Sequence, residues 1–467
     1  MKKSLVLVLI AVLVACSSSS KTATISSPAA GPEFLTGSIG AATYTIEVPH
    51  PWNGTLFLYS HGYVSPGGTS NAAAAPDGPT GQWLLDGGYA LAASSYSSSG
   101  WAIEDALKDQ VALLDHFAAQ VGKPKRVIAW GASLGGIITA GLIQQYPDRF
   151  AAAVPICGVL AGAVASWNTG LDGAYAFKML LAPHSQLQLV HITNPDSNLL
   201  LANDAMTQVS DTPAGRARIA LIAALTGLPG WFVPTSPEPA AADYVAREAA
   251  QAQWASRVDF PFEFRNRAEL EKRAGGNPSW NVGIDYAHQL SRSADRPEVV
   301  ALYRAASLDL NADLRTLNAG ATIRPDPAAL AYLDRNVSFD GRIAVPVLTM
   351  HTTGDGLVVP EDETAYADLV RRAGDASLLR QVFVHRAGHC AFTSAEIIAA
   401  FKVVLNRLET GAWDARSLVP SALNASALTL GPGTNSLGGV IASAPAFTAY
   451  SPGPYPRPFP KGSSAPG

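Results

Sequence analysis

The stretch RVIAWGASLGGII (126–138) decides how this chain is read. Its first half is a short apolar run of strand length, and a helix opens at Leu134. Between them stands Gly131-Ala-Ser133-Leu-Gly135, which matches the pattern G-x-S-x-G. A turn this tight puts the serine in a strained backbone conformation that only tiny neighbours tolerate, and Gly131, Ala132, Gly135 and Gly136 meet that need. Ser133 also stands at a helix N-terminus, where free N–H groups and the helix dipole favour developing negative charge. In a chain with 41 glycines the pentapeptide alone is weak evidence, and an isolated match is more often a plain turn. The strand before it and the helix after it supply the context that the chemistry requires.

Outward from this point, strands alternate with helices. TYTIEV (43–48), TLFLYS (55–60) and YALAASSY (89–96) read as strands bounded by Pro, Gly and Asn. A helix is predicted from about 103 to 121, with Leu107, Val111, Leu114 and Ala118 at helical spacing. Another strand ends at Cys157. Between about 158 and 341 the strand pattern stops, and about six helical stretches follow. The sheet resumes with PVLTMH (346–351), a helix over 361–372, LLRQVFVH (378–385) and a helix over 394–408. Alternation of this kind predicts an α/β fold: a mainly parallel sheet with helices on both faces and a large helical cap inserted over its carboxyl edge. The expected organisation is a leader over 1–15, a lipidated cysteine and Ser-rich tether over 16–40, and a catalytic domain over 41–158 and 342–410. The cap takes 159–341. A loop-rich extension over 411–467 carries the proline-rich run PGPYPRPFP, either as a strap across the domain or as a loose tail.

With 48% hydrophobic and 15% charged residues in 467, the chain is globular rather than disordered. A formal charge of −4 gives no electrostatic footprint for nucleic acid, so none is expected as a partner. The opening MKKSLVLVLIAVLVAC has two lysines, an apolar run too short to cross a bilayer, then Ala15 and Cys16; this is a secretory signal pattern. Its ending resembles the lipobox of bacterial lipoproteins, which implies cleavage before Cys16, lipidation of Cys16 and membrane attachment through that anchor. Ser17 after it implies the outer membrane or cell surface in a two-membrane bacterium. Cys157 and Cys390 then remain, either bridged or as two buried thiols.

A serine hydroxyl needs a base to take its proton, and that base needs a third group to hold one tautomer. Two further loops at strand carboxyl ends offer these: Gly354-Asp355-Gly356 after PVLTMH, and Gly388-His389 after the last strand. With Gly131-Ala-Ser133-Leu-Gly135, they resemble the α/β-hydrolase superfamily over about 43–158 and 344–410. That resemblance implies Ser133 as nucleophile, Asp355 as the orienting acid and His389 as general base. Oxyanion donors are expected at the backbone N–H of Leu134, after the nucleophile, and at Tyr63 N–H, because Ser60-His61-Gly62-Tyr63 resembles the superfamily's His-Gly oxyanion loop. The implied reaction is hydrolysis of a small-molecule or polymeric carboxylic ester through an acyl-enzyme. The same triad could instead serve a peptidase, an amidase or an acyltransferase, and a non-catalytic binding lipoprotein is the reading from another class.

Other candidates have plainer explanations. His351 and His385 each close a strand and are expected to be structural. Glu361, Asp362 and Glu363 fall in a first helical turn, where carboxylates suit the dipole. Trp101, Trp167, Trp231, Trp254 and Trp280 could shape a groove, although large aromatics are usually core. No metal motif and no phosphate loop occurs, so cofactor-free chemistry is expected.

Overall fold

The computed structural model describes residues 33–465. The leader, Cys16 and most of the expected tether lie outside the described residues. Among the described residues the body is built on a nine-stranded sheet. In chain order its first elements are β1 (Glu33–Ile39), β2 (Ala42–Val48), β3 (Thr55–Ser60), α1 (Gly78–Asp86), β4 (Ala90–Ser94), α2 (Ile103–Gln120), β5 (Arg126–Ala132), α3 (Leu134–Gln145) and β6 (Ala152–Ile156). The cap interrupts with α4 (Ala163–Leu181), α5 (Pro195–Val209), α6 (Pro213–Thr226), α7 (Tyr244–Trp254), α8 (Arg267–Ala274), α9 (Tyr286–Arg292), α10 (Arg296–Ala305), α11 (Leu310–Gly320) and α12 (Pro327–Arg335). The sheet then continues through β7 (Val347–Gly354), α13 (Glu361–Ala373), β8 (Leu379–Ala387), α14 (Ser394–Thr410) and α15 (Pro420–Leu428). A small hairpin of β9 (Ser436–Leu437) and β10 (Ile441–Ala442) and a last strand β11 (Phe447–Thr448) complete it.

Strand order is β1-β2-β4-β3-β5-β6-β7-β8-β11, with β3 to β8 parallel and β1, β2 and β11 antiparallel to their neighbours. TLFLYS is buried at every residue because helices cover both faces of the sheet, which is why the central strands read as unbroken apolar runs. On one side α2, α3 and α13 share a core with Leu56, Leu58 and Ile137; on the other α1, α14 and α15 close over Phe57, Trp130 and Phe401. The cap has its own core around Phe177, Leu221, Phe264 and Tyr303. Among the described residues no helix is long and apolar enough to cross a membrane.

One expectation changes and one open alternative is decided. The tether was expected to run to residue 40, but Glu33–Ile39 forms the edge strand β1, paired in register with β2 from Glu33↔Val48 to Ile39↔Ala42 across a two-residue turn. Most of its residues are exposed on both faces, so no alternating apolar pattern marks it. The extension after 410 is a strap and not a loose tail. α15 lies against α14, and β11 adds a strand beside β8. The proline-rich run then crosses to the cap, where Arg457 Nη1 pairs with Asp172 Oδ1 at 2.9 Å and donates to Trp280 O. Phe459 meets the Trp280 ring edge-on.

Candidate active site

Chain order makes the site. From β3 the chain steps to β4 on one side and then returns to β5 on the other, so the loops leaving β3 and β5 part at a switch point of the sheet. Ser60 at the end of β3 is paired with Gly131 at the end of β5. The His61-Gly62-Tyr63 loop is thereby set beside Ser133; a Cβ built on Gly62 would lie 3.4 Å from Ser133 Cβ. Ser133 has φ 61°, and its N–H donates to Ile156 O at 3.0 Å. The turn holds because a Cβ on Gly131 or Gly135 would strike Ser60 O, and one on Gly136 would strike Gly158 Cα.

Two loops bring the remaining groups to this serine. Ser133 Oγ–H donates to His389 Nε2 at 2.7 Å, and His389 Nδ1–H donates to Asp355 Oδ2 at 2.7 Å. The other oxygen of Asp355 accepts the N–H groups of Leu357 at 3.0 Å and Val358 at 3.1 Å, which fixes the carboxylate in a fully buried place. The His389 loop is fastened on both sides. Gly388 N–H donates to Gly354 O, and Thr352 Oγ1–H donates to Gly388 O. Cys390 is bonded to Cys157 in a disulfide with Cα atoms 5.5 Å apart, so the paired alternative holds for these cysteines. Cys390 Sγ lies 3.5 Å from His389 Nε2. Behind them Arg386, at the end of β8, forms a buried ion pair with Glu396, 2.7 Å between Nη1 and Oε2. Glu396 also closes a capping box with Thr393 at the start of α14. The spacing Thr393-Ser-Ala-Glu396 carried that signal in the sequence, and it went unread.

The remaining sequence candidates fall as follows. Leu134 and Tyr63 both line the cleft at Ser133, and Leu134 is the first residue of α3, where the backbone N–H has no partner within the helix. His351 is fully buried and away from the serine, held by Glu363 and Val358 O. His385 is half exposed, against Trp231 and 3.4 Å from Glu238. The first-turn carboxylates of α13 have more specific partners than the dipole. Asp362 Oδ1 accepts Ala161 N–H at 2.7 Å, and Glu363 holds His351. Of the tryptophans, Trp101 and Trp167 face the cleft, whereas Trp254 donates to Trp231 O inside the cap.

The cleft between sheet edge and cap has a volume of about 1010 Å³, mouth included. Its walls are aromatic: Trp101, Trp167, Phe260, Phe262 and Phe264 from the body and cap, and Tyr455 from the strap. Sequence reading missed the phenylalanines: Phe262 and Phe264 lie in a π-helical turn, Pro261–Asn266, and Phe260 joins it to a preceding one, Ala255–Asp259, an arrangement that periodicity does not reveal. Two carboxyls here hold protons more firmly than usual. Asp259 is pushed well above the ordinary range by burial, then by Glu263 and Asp355. Glu263 is raised by burial, partly offset by its ion pair with the fully buried Arg267. The cleft sets an aromatic-walled space against a serine with an aligned base.

Similarity to known proteins agrees with this geometry. Residues 101–171, which span α2, β5, the Ser133 turn and β6, match the prolyl oligopeptidase family. The chain is 32% identical to an o-phthalyl amidase from Xanthobacter agilis over 429 residues, 84% of this chain and 90% of the amidase. The chain belongs to the α/β-hydrolase superfamily of serine hydrolases. Solved structures similar to this serine hydrolase include the rice cell wall degrading esterase LipA from Xanthomonas oryzae, at 14% identity and a TM-score of 0.36 over 79% of this chain and 86% of that one. An esterase from Aspergillus oryzae is 13% identical with a TM-score of 0.38, covering 81% and 80%. A proline iminopeptidase-related protein from Thermus thermophilus is 13% identical with a TM-score of 0.37, covering 84% and 99%.

Proposed function

We propose that this serine hydrolase cleaves a carboxylic amide whose acyl group is aromatic, with the matching ester as a further substrate of the same acyl-enzyme. The observation that carries the reading is the run Ser133–His389–Asp355, two bonds of 2.7 Å, opening into an aromatic-walled cleft. In this mechanism Ser133 Oγ attacks the acyl carbonyl while His389 Nε2 takes its proton. Asp355 holds the ring in the tautomer that presents Nε2 and stabilises the imidazolium. The carbonyl oxygen, now an anion, receives the N–H groups of Leu134 and Tyr63, each worth about two to three decades of rate. His389 then returns the proton to the leaving amine or alcohol, and a water activated in the same way releases the acid. The amidase relative favours the amide, since an amide demands this protonation of its leaving group more than an ester does.

Labelling by a fluorophosphonate probe tests the nucleophile. Wild type should label and Ser133→Ala should not, with kcat falling by about 10⁴-fold or more. Matched benzoyl and acetyl anilides and phenyl esters then test the substrate class: kcat/KM should favour benzoyl over acetyl in both series. Equal labelling of Ser133→Ala would remove the mechanism, and a preference for acetyl would remove the aromatic acyl group.

The activity is proposed to lie outside the cytoplasm, on a lipid anchor at Cys16. The leader sequence supports this, and so does the disulfide, since such bonds persist in oxidising compartments. Cys16→Ser should move the protein from the membrane to the soluble fraction of fractionated cells, and unchanged membrane association would refute the anchor.

A further inference from the structure

A second histidine stands within charge range of Asp355. His351 Nε2 lies 3.6 Å from the same Oδ2 that receives His389, too far for a hydrogen bond but close for a charge. His351 Nε2 also faces Val358 O at 2.8 Å, and its Nδ1 faces Glu363 Oε1 at 3.1 Å. A backbone carbonyl can only accept. Glu363 has donors on its other oxygen, the Thr349 hydroxyl and Gln381 Nε2, so it needs no proton of its own. With acceptors at both ring nitrogens, a neutral imidazole would leave one lone pair pointing at an oxygen. The partners of His351 therefore require both nitrogens protonated.

We propose that His351 is a charged positioning residue: an imidazolium fixed by Glu363 beneath Asp355, which opposes the second positive charge that His389 takes on and so keeps Ser133 activated to lower pH. This rests on the catalytic reading of Ser133, His389 and Asp355 given above. His351, Asp355 and Glu363 are all fully or almost fully buried, so a charge at His351 is felt strongly at the next ring. The titratable groups that face His351 are Asp355, from the loop that follows its strand β7, and Glu361, Asp362 and Glu363, from α13. Burial opposes the charge on His351, but Glu363, ahead of Asp355, outweighs it and carries the ring's pKa up to about 9. Glu361 and Asp362 are pushed up to about 7 and about 8 by burial, so near pH 6 they are mostly neutral and Glu363 is the counter-charge. His351 touches no reacting atom.

The test follows the rate of Ser133 labelling by a fluorophosphonate probe from pH 4.5 to 9 in wild type, His351→Gln and His351→Asn. The sign is fixed. Removing a cation near His389 lets that ring accept its proton at higher pH, so the acidic limb of the labelling profile should move up by about one pH unit in both variants, with the plateau less affected. A structural role alone would lower the plateau and leave the limb where it was, and coincident limbs with normal labelling overturn the proposal. Loss of Ser133-dependent labelling in wild type at every pH would overturn the catalytic reading and this one with it. Should neither variant fold, the ring is read directly in wild type by ¹⁵N spectra of labelled histidine: a buried imidazolium persisting to about pH 8 supports the proposal, and a neutral ring at pH 7 overturns it.

Discussion

At Gly135 a single methyl group separates a working elbow from none. The residue is the second of α3, just behind the serine, and faces the end of β3, where an added Cβ would overlap Ser60 O and lie 2.7 Å from Ser60 C and 2.9 Å from His61 O. All three are backbone atoms, so nothing near it can rotate away. Gly135→Ala should therefore shift α3 against β3, destabilise by about 3 kcal/mol or more, and slow Ser133 labelling at least about 100-fold. Gly78→Ala is the control: Gly78 starts α1 with nothing within 4 Å of the added carbon, and both readouts should stay at wild-type values. Denaturant midpoints together with labelling rates check both. The glycines that mark a nucleophile turn in the sequence are thus explained by the approach of another loop, a fact that only the register Ser60↔Gly131 supplies.

Between elements, the disulfide ties the loop after β6 to the loop that carries His389, across 233 residues and the whole cap. Cross-linking so long a segment restricts the unfolded chain by about 5 kcal/mol on chain-entropy grounds, with measured values commonly about 2–5. Cys390 also sits next to His389, so the bond restrains the base as well as the fold. Cys157→Ala with Cys390→Ala should lower stability by about 2–5 kcal/mol and reduce kcat more than it changes KM, because the serine remains in place while its base loosens. Thiol counting on denatured, unreduced wild type should find neither cysteine free. A doubly substituted enzyme with unchanged kcat would mean that Thr352, Gly354 and Arg386 hold the loop unaided. The same scale explains what was legible. Buried parallel strands such as TLFLYS announce themselves as apolar runs, and the three site loops were placed because each follows such a run. β1 carries no such signal, since an edge strand wet on both faces has no pattern to show. The cleft walls were illegible for another reason: π-helical turns and a proline strap bring Phe262 and Tyr455 together from 193 positions apart, and no local period encodes that meeting.

Across the whole molecule, the buried carboxyls set how stability responds to pH. Burial lifts Asp362 and Glu248 to about 8, and lifts Glu298 to about 7 against the pull of Arg247. Each folded state holds its proton more tightly than the unfolded chain, whose carboxyls titrate near 4. Their stabilisation is fully present below about pH 4 and is lost as pH rises through 7 to 8. His351 adds to the same trend: its raised pKa of about 9 contributes fully below about 6.5 and is lost as pH climbs through 9. All four groups therefore push one way, and the thermal midpoint should fall by at least a few °C between pH 5 and pH 9. Asp362 is the group to isolate, because asparagine keeps an oxygen for the Ala161 N–H while removing the ionisation. Asp362→Asn should match wild type only near pH 4 or below, exceed it by a growing margin from pH 5 to pH 8 and show a shallower decline, measured as thermal midpoints at each pH in the same buffer series. A variant curve parallel to wild type would assign the slope to Glu248 and Glu298 in the cap and to His351 on β7 instead.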